Sequence, residues 1–187
     1  MVKRNACIFI SGEGSNLKNL INKSRDYNFP IKINLIICDK IHAPGLMYAK
    51  KNSIPYLIIN TKSKRFENQI LKFLKNYKIS IICLAGYMKI LSKNFLINFR
   101  KKIINIHPSL LPKFKGLNTY SKILKNREKK TGCTVHHVDE KLDHGKIIVQ
   151  RSFFINKYDN EKTLMIKTQK LERLVYPEAI IKIFRNC

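Results

Sequence analysis

Apolar runs of strand length alternate with helix-period patterns along nearly all of this 187-residue chain, and that alternation restricts the possible fold most. The runs fall at Ala6 to Ile10, Ile31 to Cys38, Tyr56 to Ile59, Ile79 to Ala85 and Ile103 to Ile106. Helical patterns separate them. One follows a tight turn at residues 11–16 and starts with Leu17, and another crosses Pro44 to Asn52. A third places Phe66, Ile70, Phe73 and Leu74 on one face with lysines opposite, and a short one holds Phe95 and Ile97. The order predicts an α/β fold with a mainly parallel sheet. After Pro112 the pattern changes to a loop around Gly116 and a short polar helix to about Lys125. Two strands follow, Cys133 to Val138 and Lys146 to Phe154, read as an antiparallel pair joined by the loop Asp139 to Gly145. A last helix is expected from about Glu161 to Phe184, with Leu164, Leu171, Leu174 and Val175 inward and Pro177 kinking or restarting it. No repeat, linker or low-complexity tract interrupts the chain, so a single domain, residues 1–187, is expected.

Cys7, Cys38, Cys83, Cys133 and Cys187 are scattered and form no C-x-x-C pair, which suits buried free thiols in a reducing compartment. The first residues run straight into a short apolar stretch, too brief to span a membrane and lacking a signal-peptide pattern. A soluble, cytoplasmic protein is the expectation. The net charge of +25 would suit nucleic acid or an anionic substrate. The lysines are spread through every segment beside abundant asparagine and isoleucine, however, as a nucleotide bias would also produce. With no aromatic-interleaved basic stripe or RNA-binding signature, no specific nucleic-acid role is expected.

Three stretches carry residue types suited to chemistry. Asn105 and His107 end an otherwise apolar strand and, two residues apart, share one face. Pro108 and Pro112 stiffen the segment that follows. The pair is either catalytic or a buried amide and imidazole that satisfy each other. Gly12-x-Gly14-Ser15-Asn16 joins the first strand to a helix, whose unpaired N–H groups make an anion site. Read otherwise, it is a tight turn with Ser15 or Asn16 as the cap. It matches neither a dinucleotide fingerprint nor a Walker loop. Asp143 lies in the loop between the last two strands, where its carboxylate can face His107 or cap its own turn, with Asp139 and Glu140 as rivals. His136 and His137 point to opposite strand faces and do not make a zinc site. Gly86 turns the chain before Tyr87 to Leu91, a slot for a flat heterocycle or a plain connection.

Together these motifs resemble the folate-dependent glycinamide ribonucleotide formyltransferases over nearly the whole chain. Ile10-Ser11-Gly12-x-Gly14-Ser15-Asn16-Leu17 is similar to that family's phosphate loop, and Leu84-Ala85-Gly86-Tyr87-Met88-Lys89-Ile90-Leu91 to its folate segment. Asn105-Ile106-His107-Pro108-Ser109-Leu110-Leu111-Pro112 resembles its catalytic signature, with Asp139-Glu140-x-Leu142-Asp143-x-Gly145 following in the right order. The resemblance implies a Rossmann-like open sheet with helices on both faces. It implies Asn105, His107 and Asp143 as the catalytic trio. Gly14, Ser15, Asn16 and Glu172 would bind the ribonucleotide substrate; Met88, Lys89, Ile90, Leu91 and Asn105 would bind 10-formyltetrahydrofolate, the formyl donor. In that chemistry an amine attacks the formyl carbon, Asn105 and His107 stabilise the oxyanion, and Asp143 raises the His107 pKa and relays a proton. No metal is implied.

The chain departs from the family pattern at Lys89, where arginine is usual, at His144, a common glycine, and at Asn118, a common histidine. Lys64 and Arg65 lie close to the place of a further folate-binding arginine. A related formyltransferase acting on methionyl-tRNA shares the Asn-x-His pair, but such enzymes carry a further C-terminal domain, whereas this chain ends at Cys187. The expected partners are small molecules, with no membrane, and the state a monomer or homodimer.

Overall fold

In the computed structural model, which describes residues 2–63 and 65–185, the chain packs as two compact units, residues 1–104 and 105–187. Lys64 and Cys187 lie outside the described residues. The first unit alternates β1 (Arg4–Ile10), α1 (Ser15–Ser24), β2 (Ile31–Cys38), α2 (Leu46–Lys51), β3 (Tyr56–Ile58), α3 (Phe66–Asn76), β4 (Ile81–Leu84) and α4 (Lys93–Phe99). Strand β5 (Lys102–His107) carries the chain across the boundary. The second unit continues with α5 (Thr119–Lys125), β6 (Lys130–His137), β7 (Ile147–Phe154) and α6 (Glu161–Phe184). The seven strands take the order β3-β2-β1-β4-β5-β6-β7 in one sheet. Pairing is parallel for β1 with β2, β1 with β4 and β2 with β3, and antiparallel for β6 with β7. The sheet is therefore mixed, with the antiparallel pair at its C-terminal end, as the sequence predicts.

Burial explains why the parallel strands read as unbroken apolar runs. Ala6 to Ile10 are wholly buried, as are Ile36 to Cys38 and Ile81 to Cys83. A strand covered on both faces has no position for a polar residue. Cys7, Cys38, Cys83 and Cys133 are buried free thiols. Helix α4 starts where the Ser92 hydroxyl accepts the Phe95 N–H and stops where Arg100 turns left-handed, at φ 49°. Its Phe95 meets Phe9 of β1 edge-on and stacks on Phe99.

In the second unit β6 begins at Lys130, earlier than the Cys133 expected, because backbone pairing continues to Lys130 opposite Phe154. The Lys130 ammonium lies 5.7 Å from the Phe154 ring centroid, a favourable contact that no apolar periodicity announces. Helix α6 packs on β6 and β7 and buries Leu164, Thr168, Glu172, Val175, Tyr176, Ala179 and Ile180. It runs uninterrupted through Pro177 rather than restarting there. Leu174, expected inward, is 70% exposed. Leu174 and Val175 are neighbours turned about 100° apart on the helix. Val175 takes the inward place, so Leu174 faces out.

A capping box opens α6: the Asn160 side chain accepts the Thr163 N–H at 3.0 Å, and the Asn160 N–H donates to the Thr163 hydroxyl at 2.9 Å. Replacing Asn160 with alanine is expected to cost about 1 kcal/mol. Thermal unfolding should then shift down by about 2–4 °C. An unchanged midpoint would show that the cap does not hold the helix.

Candidate active site

Asn105 and His107 leave β5 on one face, as their spacing predicts, and one carboxylate meets both. Asp143 Oδ2 lies 3.2 Å from His107 Nδ1, and Asp143 Oδ1 accepts from Asn105 Nδ2 at 3.4 Å. His107 and Asp143 are buried and Asn105 is half-buried. The loop that carries Asp143 is shaped locally. Its turn-capping aspartate is Asp139, which accepts the Lys141 N–H at 2.9 Å and pairs with exposed His144 at 2.9 Å. Asp143 itself adopts φ 46° and turns inward. Gly145 ends the loop against the His137 carbonyl, so close that a Cβ there would lie 1.9 Å from the oxygen. No other residue type fits that approach.

His136 completes the cluster, and the sequence reading passed over it. Its Nδ1–H donates to the His137 carbonyl at 2.8 Å, which leaves Nε2 to accept from Asn105 Nδ2 at 3.3 Å. The same Nε2 stands 3.6 Å from Asp143 Oδ1. The available signal was Thr134 and His136 at alternate positions of an otherwise buried strand, two polar residues sharing a face.

The segment after β5 is held from beneath. Thr134 Oγ1 donates to the Ser109 carbonyl at 2.7 Å and accepts the Leu111 N–H at 3.1 Å, while Gln150 donates to the Leu111 carbonyl at 3.0 Å. The Ser109 hydroxyl then donates to the Lys113 carbonyl at 2.7 Å. Beyond it Phe114, Gly116 and Asn118 are all left-handed, with φ 57°, 74° and 57°. This path aims backbone groups at the cluster. The Gly116 N–H donates to Asp143 Oδ2 at 2.9 Å, and His107 Nε2–H donates to the Phe114 carbonyl at 2.9 Å.

Both ring nitrogens of His107 thus face acceptors, and only the protonated ring can donate to both. Burial opposes that charge and wins. It lowers the His107 pKa below its ordinary 6.5, although the Phe114 carbonyl and Asp143 push it up. The rise expected from Asp143 is present but outweighed by burial. For Asp143, burial alone would raise the carboxyl; the His136 ring beside it, the Gly116 N–H and the His107 imidazole hold it at about 2. Asp143 is therefore a carboxylate at neutral pH.

Glu172 lies buried on α6. Burial first, and then its negative charge, push the Tyr120 and Cys133 ionisations well up. In the first unit Gly14 is the left-handed residue that opens α1, followed by Ser15 and buried Asn16. The Gly12 carbonyl accepts the Gly45 N–H at 3.0 Å, and a Cβ on Gly14 would lie 2.7 Å from the Gly45 Cα. The helix start carries no side-chain cap on Gly14. Met88, Lys89 and Ile90 form an exposed loop after β4, and Leu91 turns inward. Arg65 is exposed before α3, and Asn118 precedes α5 without a side-chain cap. Among the described residues no group of three or more His, Cys, Asp or Glu is arranged to hold a metal ion. No helix among them is long and apolar enough to cross a membrane.

A family model described as formyl transferase matches residues 4–180. Phosphoribosylglycinamide formyltransferase of Haemophilus influenzae is 38% identical over 181 residues, covering 95% of this chain and 85% of that protein. The human trifunctional purine biosynthetic protein adenosine-3 is 38% identical over 182 residues, covering 95% of this chain. This chain spans only 18% of that protein's length. The crystal structure of phosphoribosylglycinamide formyltransferase from Bacillus halodurans superposes with a TM-score of 0.92 at 35% identity, covering 96% of this chain and 95% of that one. The family match takes in Asn105, His107, His136 and Asp143, and it leaves only a few residues at either end. The chain belongs to the formyl transferase family.

Proposed function

We propose that this chain, as a single domain of residues 1–187, transfers a formyl group from 10-formyltetrahydrofolate to the amine of glycinamide ribonucleotide. The products are formylglycinamide ribonucleotide and tetrahydrofolate, in cytoplasmic de novo purine synthesis. The observation that carries this reading is the Asp143 carboxylate reaching Asn105, His107 and His136 at once, 3.2–3.6 Å away. The names of relatives that match almost end to end support the choice of substrate.

Gly14, Ser15 and Asn16 would bind the substrate phosphate, since the opening turn of α1 offers N–H groups and has no side-chain cap on Gly14. Glu172 would bind the amine end, where a carboxylate suits an ammonium. Met88 and Ile90, 59% and 70% exposed, offer apolar surface for a flat heterocycle, with Lys89 and Leu91 completing the segment. When bound, the folate supplies the formyl carbon. Asn105 then turns an amide N–H from His136 or Asp143 towards the oxygen that gains charge, a donor contribution of about 10²–10³ in rate. Asn105 so contacts the formyl donor as well. His107, neutral at rest, accepts the proton released by the attacking amine and returns it to the departing nitrogen. Asp143 steadies the ring and its transient charge.

Purified protein should formylate glycinamide ribonucleotide and leave methionyl-tRNA unchanged; the reverse result would replace this reading with the tRNA one. His107→Ala and Asp143→Ala should each lower kcat by about 10² or more with folding retained. Turnover near wild type in either removes that residue from the mechanism. Following the His107 ring by NMR should give a midpoint below 6.5 in the wild type. In Asp143→Asn it should fall further, because the carboxylate that favours the protonated ring is gone. A midpoint that rises on this substitution would contradict the assigned balance.

A further inference from the structure

We infer that Ser11 is a positioning residue that couples the two substrate segments of the first unit, so that filling one raises the affinity of the other. The inference rests on the assignments proposed above, the turn at residues 12–16 for the phosphate and residues 88–91 for the folate.

Ser11 is the first residue beyond β1 and is 2% exposed. Its N–H donates to the Gly86 carbonyl at 3.2 Å, and its hydroxyl accepts the Met88 N–H at 2.9 Å. One small residue thus clasps both sides of the turn at Gly86, whose φ of 77° bends the chain back towards it. The clasp extends the β1–β4 ladder, in which the Ala85 N–H donates to the Phe9 carbonyl at 2.9 Å.

Each segment is also fixed at its far side. Gly12, bonded covalently to Ser11, is tied to Gly45, and Gly14 packs on the same glycine. Beyond Leu91, the Ser92 N–H donates to Glu67 Oε1 at 2.8 Å, and the Ser92 hydroxyl donates to Oε2 of the same carboxylate. Residues 88–91 therefore hang between two anchors, Ser11 and Glu67. Ser11 is the anchor that also starts the phosphate turn. A ligand that orders one segment lowers the ordering cost of the other through this shared point.

The test is calorimetric titration of glycinamide ribonucleotide into the full chain with and without saturating tetrahydrofolate, a pair that cannot react. The wild type should bind the ribonucleotide more tightly when tetrahydrofolate is present. Ser11→Ala should shrink that enhancement by about 2- to 10-fold, the worth of one hydrogen bond. Ser11→Thr, which keeps the hydroxyl, should preserve it. Should Ser11→Ala not fold, Ser11→Cys keeps the volume with a weaker acceptor and should show the same loss. A serine that merely stabilises the fold would lower the unfolding midpoint and leave the ratio of affinities unmoved, and that result overturns the inference. So does a wild-type ratio of one, or a loss in Ser11→Thr equal to that in Ser11→Ala. Wild-type protein that binds neither ligand overturns the proposed function, and the coupling with it.

Discussion

A single carboxylate with two differently employed oxygens organises the second unit. Asp143 Oδ1 faces the Asn105 amide and His136, and Oδ2 faces His107 and the Gly116 N–H. An ionised carboxylate in so buried a place persists only when donors surround it. The surrounding structure can be followed from that requirement. The left-handed turns at Phe114 and Gly116 bring main-chain groups in, and the close pass of Gly145 over His137 sets the loop that aims Asp143. Thr134 and Gln150 fix the segment from which those groups project.

Most polar groups of the arrangement have partners at rest. Both N–H groups of the Asn105 amide have acceptors, and the His107 Nε2–H donates to the Phe114 carbonyl, which leaves the Nδ1 lone pair of the neutral ring facing Asp143. Chemistry at such a site proceeds by exchange of partners, with reacting atoms replacing protein atoms one for one. That keeps the cost of desolvating the carboxylate out of the reaction step, because folding has already met it.

Much of this was legible from residue order. The apolar runs located the strands because parallel strands buried on both faces allow little else, and the i, i+2 spacing put Asn105 beside His107. What escaped detection depends on three dimensions. His136 accepts from an amide on another strand, a pairing no local pattern encodes. Local residue pattern does not tell Asp143 from Asp139; the resemblance to the family motif picks Asp143. The two differ in backbone conformation, one inward at φ 46° and the other capping an exposed turn. Leu174 faces out because a helix offers either of two adjacent apolar residues to the core, and packing on β6 and β7 selects Val175. The balance at His107 was also out of reach, since burial, which decides it, is a property of the folded chain.

The grip of Phe114 and Gly116 on the histidine and aspartate has a consequence for how such a protein can vary. Both contacts are made by the main chain, so neither depends on which side chain occupies the position, only on the left-handed path being kept. Side-chain truncation removes neither contact. Replacing the Gly116 amide with an ester would remove that donor and keep the left-handed φ, which proline, the coded residue without an N–H, would break.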